Sequence, residues 1–169
     1  LKAQMESLHG VTRVDAFTKI YVTGGPFEEY HGISGIPEEY AKEIEDGIIE
    51  GSVTYEELKS GDKVIVESTL LHWYPELEVG GTLSVTLYDG LRIYEKEFEI
   101  AAIGDYRHGL TNYDYLIMAK EAADRLCENN STGYFHVIAD ENYDRELERA
   151  LKELIEPSGR LEMNTWKAE

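Results

Sequence analysis

Leu83, Val85 and Leu87 alternate with Ser84, Thr86 and Tyr88, the period-two pattern of a strand with one buried face. Asp89-Gly90 follows with the residue types of a tight hairpin turn, and Ile93 to Ile103 predicts the return strand through Phe98, Ile100 and Ala102. An earlier strand is predicted over Ala16–Thr23, where Phe17, Ile20 and Val22 favour extended backbone, before Gly24-Gly25-Pro26 breaks it. Lys63–Glu67 predicts a strand with an apolar centre, Val64-Ile65-Val66. Tyr115–Met118, Tyr134–Ala139 and Leu161–Trp166 predict three shorter ones.

Helical spacing takes over elsewhere. Tyr143, Leu147, Ala150, Leu151, Leu154 and Ile155 recur as one stripe over Asn142–Glu156, and Pro157 ends it. Pro37 suits the first turn of a short helix to about Glu45, with Ile36, Tyr40, Ala41 and Ile44 on its apolar side. Thr54 and Glu57 form a reciprocal capping signal between Gly51 and Gly61. Lys120–Glu128 predicts a helix after a strand, Ser68–Tyr74 one or two helical turns, and Met5–Val14 a helical end with a turn at Gly10. Tyr106–Tyr115 is polar and aromatic and reads as a loop. These elements predict an α+β fold, a mixed or antiparallel sheet with helices packed on one face. The expectation is a single domain, with room for a smaller subdomain. A chain of 169 residues can bury roughly two thirds of its unfolded surface.

Charge narrows the functional classes. Asp and Glu outnumber Lys and Arg by 34 to 16, a formal charge of −18. Such a surface repels phosphate backbones and anionic headgroups, and no basic patch offsets it, so nucleic acid is not an expected partner. The single cysteine, Cys127, cannot form an internal disulfide and lies in an apolar helical pattern, as a buried structural thiol would. No run approaches the roughly 20 apolar residues of a bilayer span, and no signal-peptide pattern is present. A chain opening on Leu1 reads as a piece excised from a larger protein.

The familiar catalytic motifs are missing: no G-x-S-x-G elbow, no phosphate-cradling glycine loop with its lysine, no H-E-x-x-H helix. Asp105, His108 and Asp114 are the right residue types for a divalent metal, but their spacing in a loop is unspecific, and no metal, cofactor or catalytic residue is assigned. Tyr106, Arg107, His108, Tyr113 and Tyr115 are the candidate partner-binding residues. Tyrosine and arginine bury apolar area while keeping hydrogen bonds, which protein contacts favour; an ordinary half-buried connection would suit the same residues.

Several short segments, in order, resemble the extracytoplasmic domain of FtsX/MacB-like ABC transporter permeases. Leu8-His9-Gly10-Val11-Thr12-Arg13-Val14 is similar to the family's opening segment, Ile33-Ser34-Gly35-Ile36 to a strand end, and Ile48 to Tyr55 to a following stretch. Lys63–Ser68 is similar to a central strand, Leu77–Leu83 to a glycine-containing turn, and Phe98–Gly104 to a later strand. Gly81 stands where aspartate is usual, and Ser52 where a basic residue is common. The resemblance covers nearly the whole chain. It implies a noncatalytic domain between two transmembrane helices, on the extracytoplasmic side of the cell membrane, with its two ends close together. Its implied partners are the transmembrane part of the same permease, a separate cytoplasmic ATPase subunit, and an extracytoplasmic protein or peptide. The other readings are an extracytoplasmic ligand-binding or sensory module, which a pre-formed apolar pocket would favour, and a small hydrolase built on Asp105, His108 and Asp114.

Overall fold

The computed structural model describes residues 1–106, 110, 114–127, 132–139 and 145–156. The chain divides into two compact units, Phe17–Tyr134 and a smaller one formed by Leu1–Ala16 with Phe135–Glu169. In chain order the elements are α1 (Lys2–Glu6), β1 (Val11–Gly24), β2 (Phe27–Ile36), α2 (Ala41–Asp46), β3 (Ile48–Gly51) and α3 (Tyr55–Leu58). There follow β4 (Lys63–Glu67), β5 (Thr82–Tyr88), β6 (Ile93–Gly104), β7 (Leu116–Ala119), α4 (Lys120–Cys127), β8 (Thr132–Ala139) and α5 (Arg145–Ile155). Single 3-10 turns cover Glu38–Tyr40 and Ser68–His72.

In the larger unit β1 pairs with β2, β2 with β7, β7 with β4, β4 with β6, β6 with β5, and β5 again with β1. The sheet therefore closes on itself as a barrel of six strands, and β3 hangs on β6 outside the ring. The β2–β7 and β4–β6 pairs are parallel and the other pairs of the ring antiparallel. The α+β class and the mixed sheet agree with the sequence. The single layer with helices on one face does not, because closure gives the sheet an inside and an outside. Ile20, Val22, Ile33, Val64, Val66, Leu83, Val85, Leu87, Phe98 and Ile100 fill the interior. Ile65, Ala102, Ile117 and Ala119 point outward and pack with Ile44 and Tyr55 of the covering segments. Central strands buried on both sides read as continuous apolar runs, as Val64-Ile65-Val66 does.

The Thr54–Glu57 capping box is present in full at the start of α3. Strands β2 and β3 are the additions: periodicity does not indicate Phe27–Gly32 or Ile48–Gly51 as extended. Helix α4 leaves β7 and sends Ala122, Ala123 and Cys127 into the interior cluster, closing one end of the barrel. Its approach to β2 depends on Gly35, where a Cβ would stand 2.6 Å from that of Ala123. Lys120 Nζ bonds Thr18 Oγ1 at 3.0 Å and Asp124 Oδ2 at 2.9 Å, tying the helix to β1.

In the smaller unit Met5, Val14, Leu147, Leu151 and Ile155 form a cluster joined by Leu8, Val11, Phe135 and Val137. The stripe predicted for α5 supplies its inner face. The first residues predicted for that helix, Asn142–Asp144, and the strand predicted over Leu161–Trp166 lie outside the described residues.

Candidate functional site

Strand direction places the starts of β2 and β7 at the same end of the barrel as the end of β4, opposite to α4. Five aromatic rings converge there from three segments. Phe27 opens β2 with its ring in the core, and His31 follows four residues further along the same face. Tyr74 comes from the turn after β4, and its ring meets Phe27 edge-on at 5.0 Å and His31 at 5.4 Å. The His31 Nε2 atom lies 3.0 Å from the Tyr74 hydroxyl. Tyr115 stands 6.4 Å from His31 and 5.5 Å from Trp73, the outermost ring, which is 57% exposed. The result is a ledge rising from a buried phenyl ring to an exposed indole.

The ledge is positioned by buried polar anchors. The Glu67 carboxylate accepts from the Thr69 backbone N–H at 2.8 Å and starts the turn that carries Trp73 and Tyr74. Asp114, next to Tyr115, is buried; its Oδ1 pairs with Lys19 Nζ at 3.1 Å while Oδ2 has no hydrogen-bond partner. Burial raises its pKa, and Lys19 opposes that rise. A side chain at Gly32 would collide with this carboxylate, its Cβ falling 1.9 Å from Oδ1.

Among the residues singled out by composition, Tyr115 belongs to the ledge. Tyr106 is a core residue, packed beside Ile44, Tyr55 and Ala102, and its hydroxyl donates to the Ile44 carbonyl. Burial, with Glu67 nearby, pushes its phenol well above the ordinary range. Arg107, His108 and Tyr113 lie outside the described residues. Asp105 donates its backbone N–H to the Gly47 carbonyl at 2.9 Å. Among the described residues no three His, Cys, Asp or Glu side chains gather as a metal cage. Trp73, Tyr74, Phe27 and His31 are the ledge residues that no sequence spacing assembles; each segment carries an ordinary aromatic pair, and pairing of β2, β4 and β7 brings them together.

The opposite end of the barrel carries the β5–β6 hairpin. Asp89 Oδ1 accepts from the backbone N–H of Leu91 at 2.9 Å and of Arg92 at 2.8 Å. The turn holds Leu91 and Ile93 outward, each 71% exposed. Arg92 and Tyr94 both donate to the Leu126 carbonyl, at 3.0 and 2.8 Å, and so fasten the hairpin to α4. Among the described residues no helix is long and apolar enough to cross a membrane.

Three solved structures are similar to this chain over most of its length. The extracellular domain of the noncanonical ABC-type transporter YknZ from Gram-positive bacteria matches 93% of this chain and 81% of its own, at 13% identity and a TM-score of 0.50. The periplasmic region of MacB from Actinobacillus actinomycetemcomitans matches 93% of this chain and 72% of its own, at 11% identity and a TM-score of 0.49. A domain of a protein described as a permease, from Porphyromonas gingivalis, matches 92% and 68%, at 16% identity and a TM-score of 0.46. No family model and no curated protein matches the sequence. In fold, the chain resembles the extracellular domain of YknZ, a domain of the kind suggested by its ordered short motifs.

Proposed function

We propose that the chain is the extracytoplasmic domain of an ABC transporter permease. It is noncatalytic, sits outside the cell membrane, and is joined to the transmembrane part of the same permease. A separate cytoplasmic ATPase subunit drives the motion, and this domain passes it to a partner protein or substrate. The observation that carries the reading is the fold shared with the YknZ extracellular domain across 93% of the chain. Supporting it, α1 and α5 from the two end portions contribute to one apolar cluster, Met5 meeting Leu147 and Leu151. A chain that leaves a membrane and returns to it needs its two end portions together. The proposed partner-binding residues are Arg107, His108, Tyr113 and Tyr115, while Tyr106 belongs to the core, and the aromatic ledge stands where this segment ends.

Cysteine labelling of the full-length protein tests this reading. Glu50 is exposed and Cys127 is buried, so Glu50→Cys gives a reporter with little background. A membrane-impermeant maleimide is expected to label the variant in intact cells as fully as in lysed ones, and an ATPase subunit is expected to co-purify. Labelling that appears only after lysis overturns the proposal.

A further inference from the structure

The exposed aromatic ledge and the sign of the charge around it define a chemistry of recognition. Within the described segments that build it, Phe27–His31, Ser68–Leu77 and Asp114–Tyr115, every Lys, Arg, Asp or Glu position is acidic. Glu28, Glu29 and Glu76 are exposed, and Asp114 is already paired with Lys19. Trp73 is exposed at the outer edge, and its ring lies 5.5 Å from that of half-buried Tyr115. Tryptophan and tyrosine faces attract cations through their negative quadrupoles, and carboxylates beside them add direct Coulomb attraction. Large aromatic rings at a polar rim are also the residues that anchor protein contacts.

We infer that the ledge docks a basic, partly apolar segment of a partner protein, with a Lys or Arg side chain lying over Trp73 and Tyr115 and facing Glu29. The inference rests on the permease reading for its biological setting, since it supplies the partner contact. Its physical content concerns the isolated chain alone.

Charge complementarity selects this occupant over the others. A second copy of the chain would bring the same carboxylates against these, at a formal charge of −18 on each, and an anionic lipid surface would be repelled. A purely apolar segment would leave the carboxylates without partners. The phenol of Tyr74 is held by His31, so the inner rings form a firm floor and Trp73 and Tyr115 the contact layer.

The test is fluorescence anisotropy of a short labelled peptide alternating Arg and Leu, titrated with the whole chain at physiological salt. Its counterpart alternating Glu and Leu serves as control. The Arg peptide is expected to bind and the Glu peptide not to. Trp73→Ala should weaken binding about tenfold, and Glu29→Gln about threefold with a shallower salt dependence. Leu91→Ala, at the other end of the barrel, should leave it unchanged. Trp73→Gln, compared with the parent by thermal melting, guards against a folding defect. The inference is overturned if neither peptide binds, if the Glu peptide binds as well, or if the Trp73 variants bind like the parent, which would make the attraction diffuse charge. Because the titration uses the isolated chain, failure of the maleimide experiment leaves its result standing, and the reverse holds as well.

Discussion

His31 and Tyr74 stand 43 positions apart in the chain, and an imidazole nitrogen of one lies 3.0 Å from the phenol oxygen of the other. That contact joins the start of β2 to the turn after β4. It places a titratable ring inside the aromatic ledge, where protonation carries a penalty.

Burial lowers the pKa of His31, and Glu29 acts against this without reversing it. For a base whose folded pKa lies below its unfolded value, the unfolded chain takes up the proton first. The contribution is therefore fully present above the unfolded value of about 6.5 and is lost as pH falls through the folded pKa. Urea midpoints measured between about pH 8 and 5 should fall more steeply for the parent than for His31→Gln. Identical slopes would show that the imidazole is as well solvated in the fold as out of it.

Tyr106 is gripped on both edges of its ring. A Cβ on Gly104 would lie 2.2 Å from its Cε2, and one on Gly47 would lie 2.3 Å from its Cε1. Gly104→Ala should therefore cost about 1–3 kcal/mol by overpacking. Combined with Tyr106→Leu, the two costs should fail to add, since the second change vacates the space the first one needs. Denaturant titration of both single variants and the pair reads this directly.

The hairpin end depends on Asp89. Burial would raise its pKa, but the backbone N–H groups of Arg92 and Leu91 and the Arg92 guanidinium outweigh that and hold it below the usual carboxylate value. Asp89→Ala should cost about 1–3 kcal/mol, because two N–H groups lose their acceptor. The parent's advantage over this variant is present above the unfolded value of about 3.9 and fades as acid takes the pH down through the folded pKa. Melting curves in mildly acidic and strongly acidic buffer separate the two regimes.

Cys127 is buried among the interior residues, and burial pushes its thiol up to about 11, with Asp89 and Asp124 adding to the effect. At neutral pH the reactive thiolate is scarce and enclosed. A disulfide reagent should react with it slowly in buffer and promptly in denaturing urea. Prompt reaction in buffer would mean that α4 opens readily from the barrel.

The sequence makes some of this fold plain and conceals the rest for local physical reasons. β5 and its return strand are legible because one face of each is apolar and Asp89-Gly90 marks the turn. β2 is not, since Glu28-Glu29, Gly32 and Gly35 interrupt its pattern. Those glycines sit where Asp114 and Ala123 occupy the space a side chain would need, so the feature that hides the strand is a tertiary contact. Closure of the sheet is a pairing property, and only the doubly buried run Val64-Ile65-Val66 hints at it. Tyr115 is reachable from composition. Its neighbours Trp73 and His31 are not, because no spacing rule links residues that meet only after β7 has settled between β2 and β4. Tyr106 is concealed differently: its hydroxyl bonds a main-chain carbonyl, an acceptor that every residue carries.

β7 is four residues long, yet it is the keystone of the ring, parallel to β2 on one side and antiparallel to β4 on the other. A nascent chain that has not yet delivered Leu116 holds two bare strand margins and a half-covered interior, a form prone to sticking to its neighbours. The seam shuts late and over long sequence distances, which slows folding. A polypeptide of this design is suited to staying unfolded until most of it has emerged together, and to setting only then.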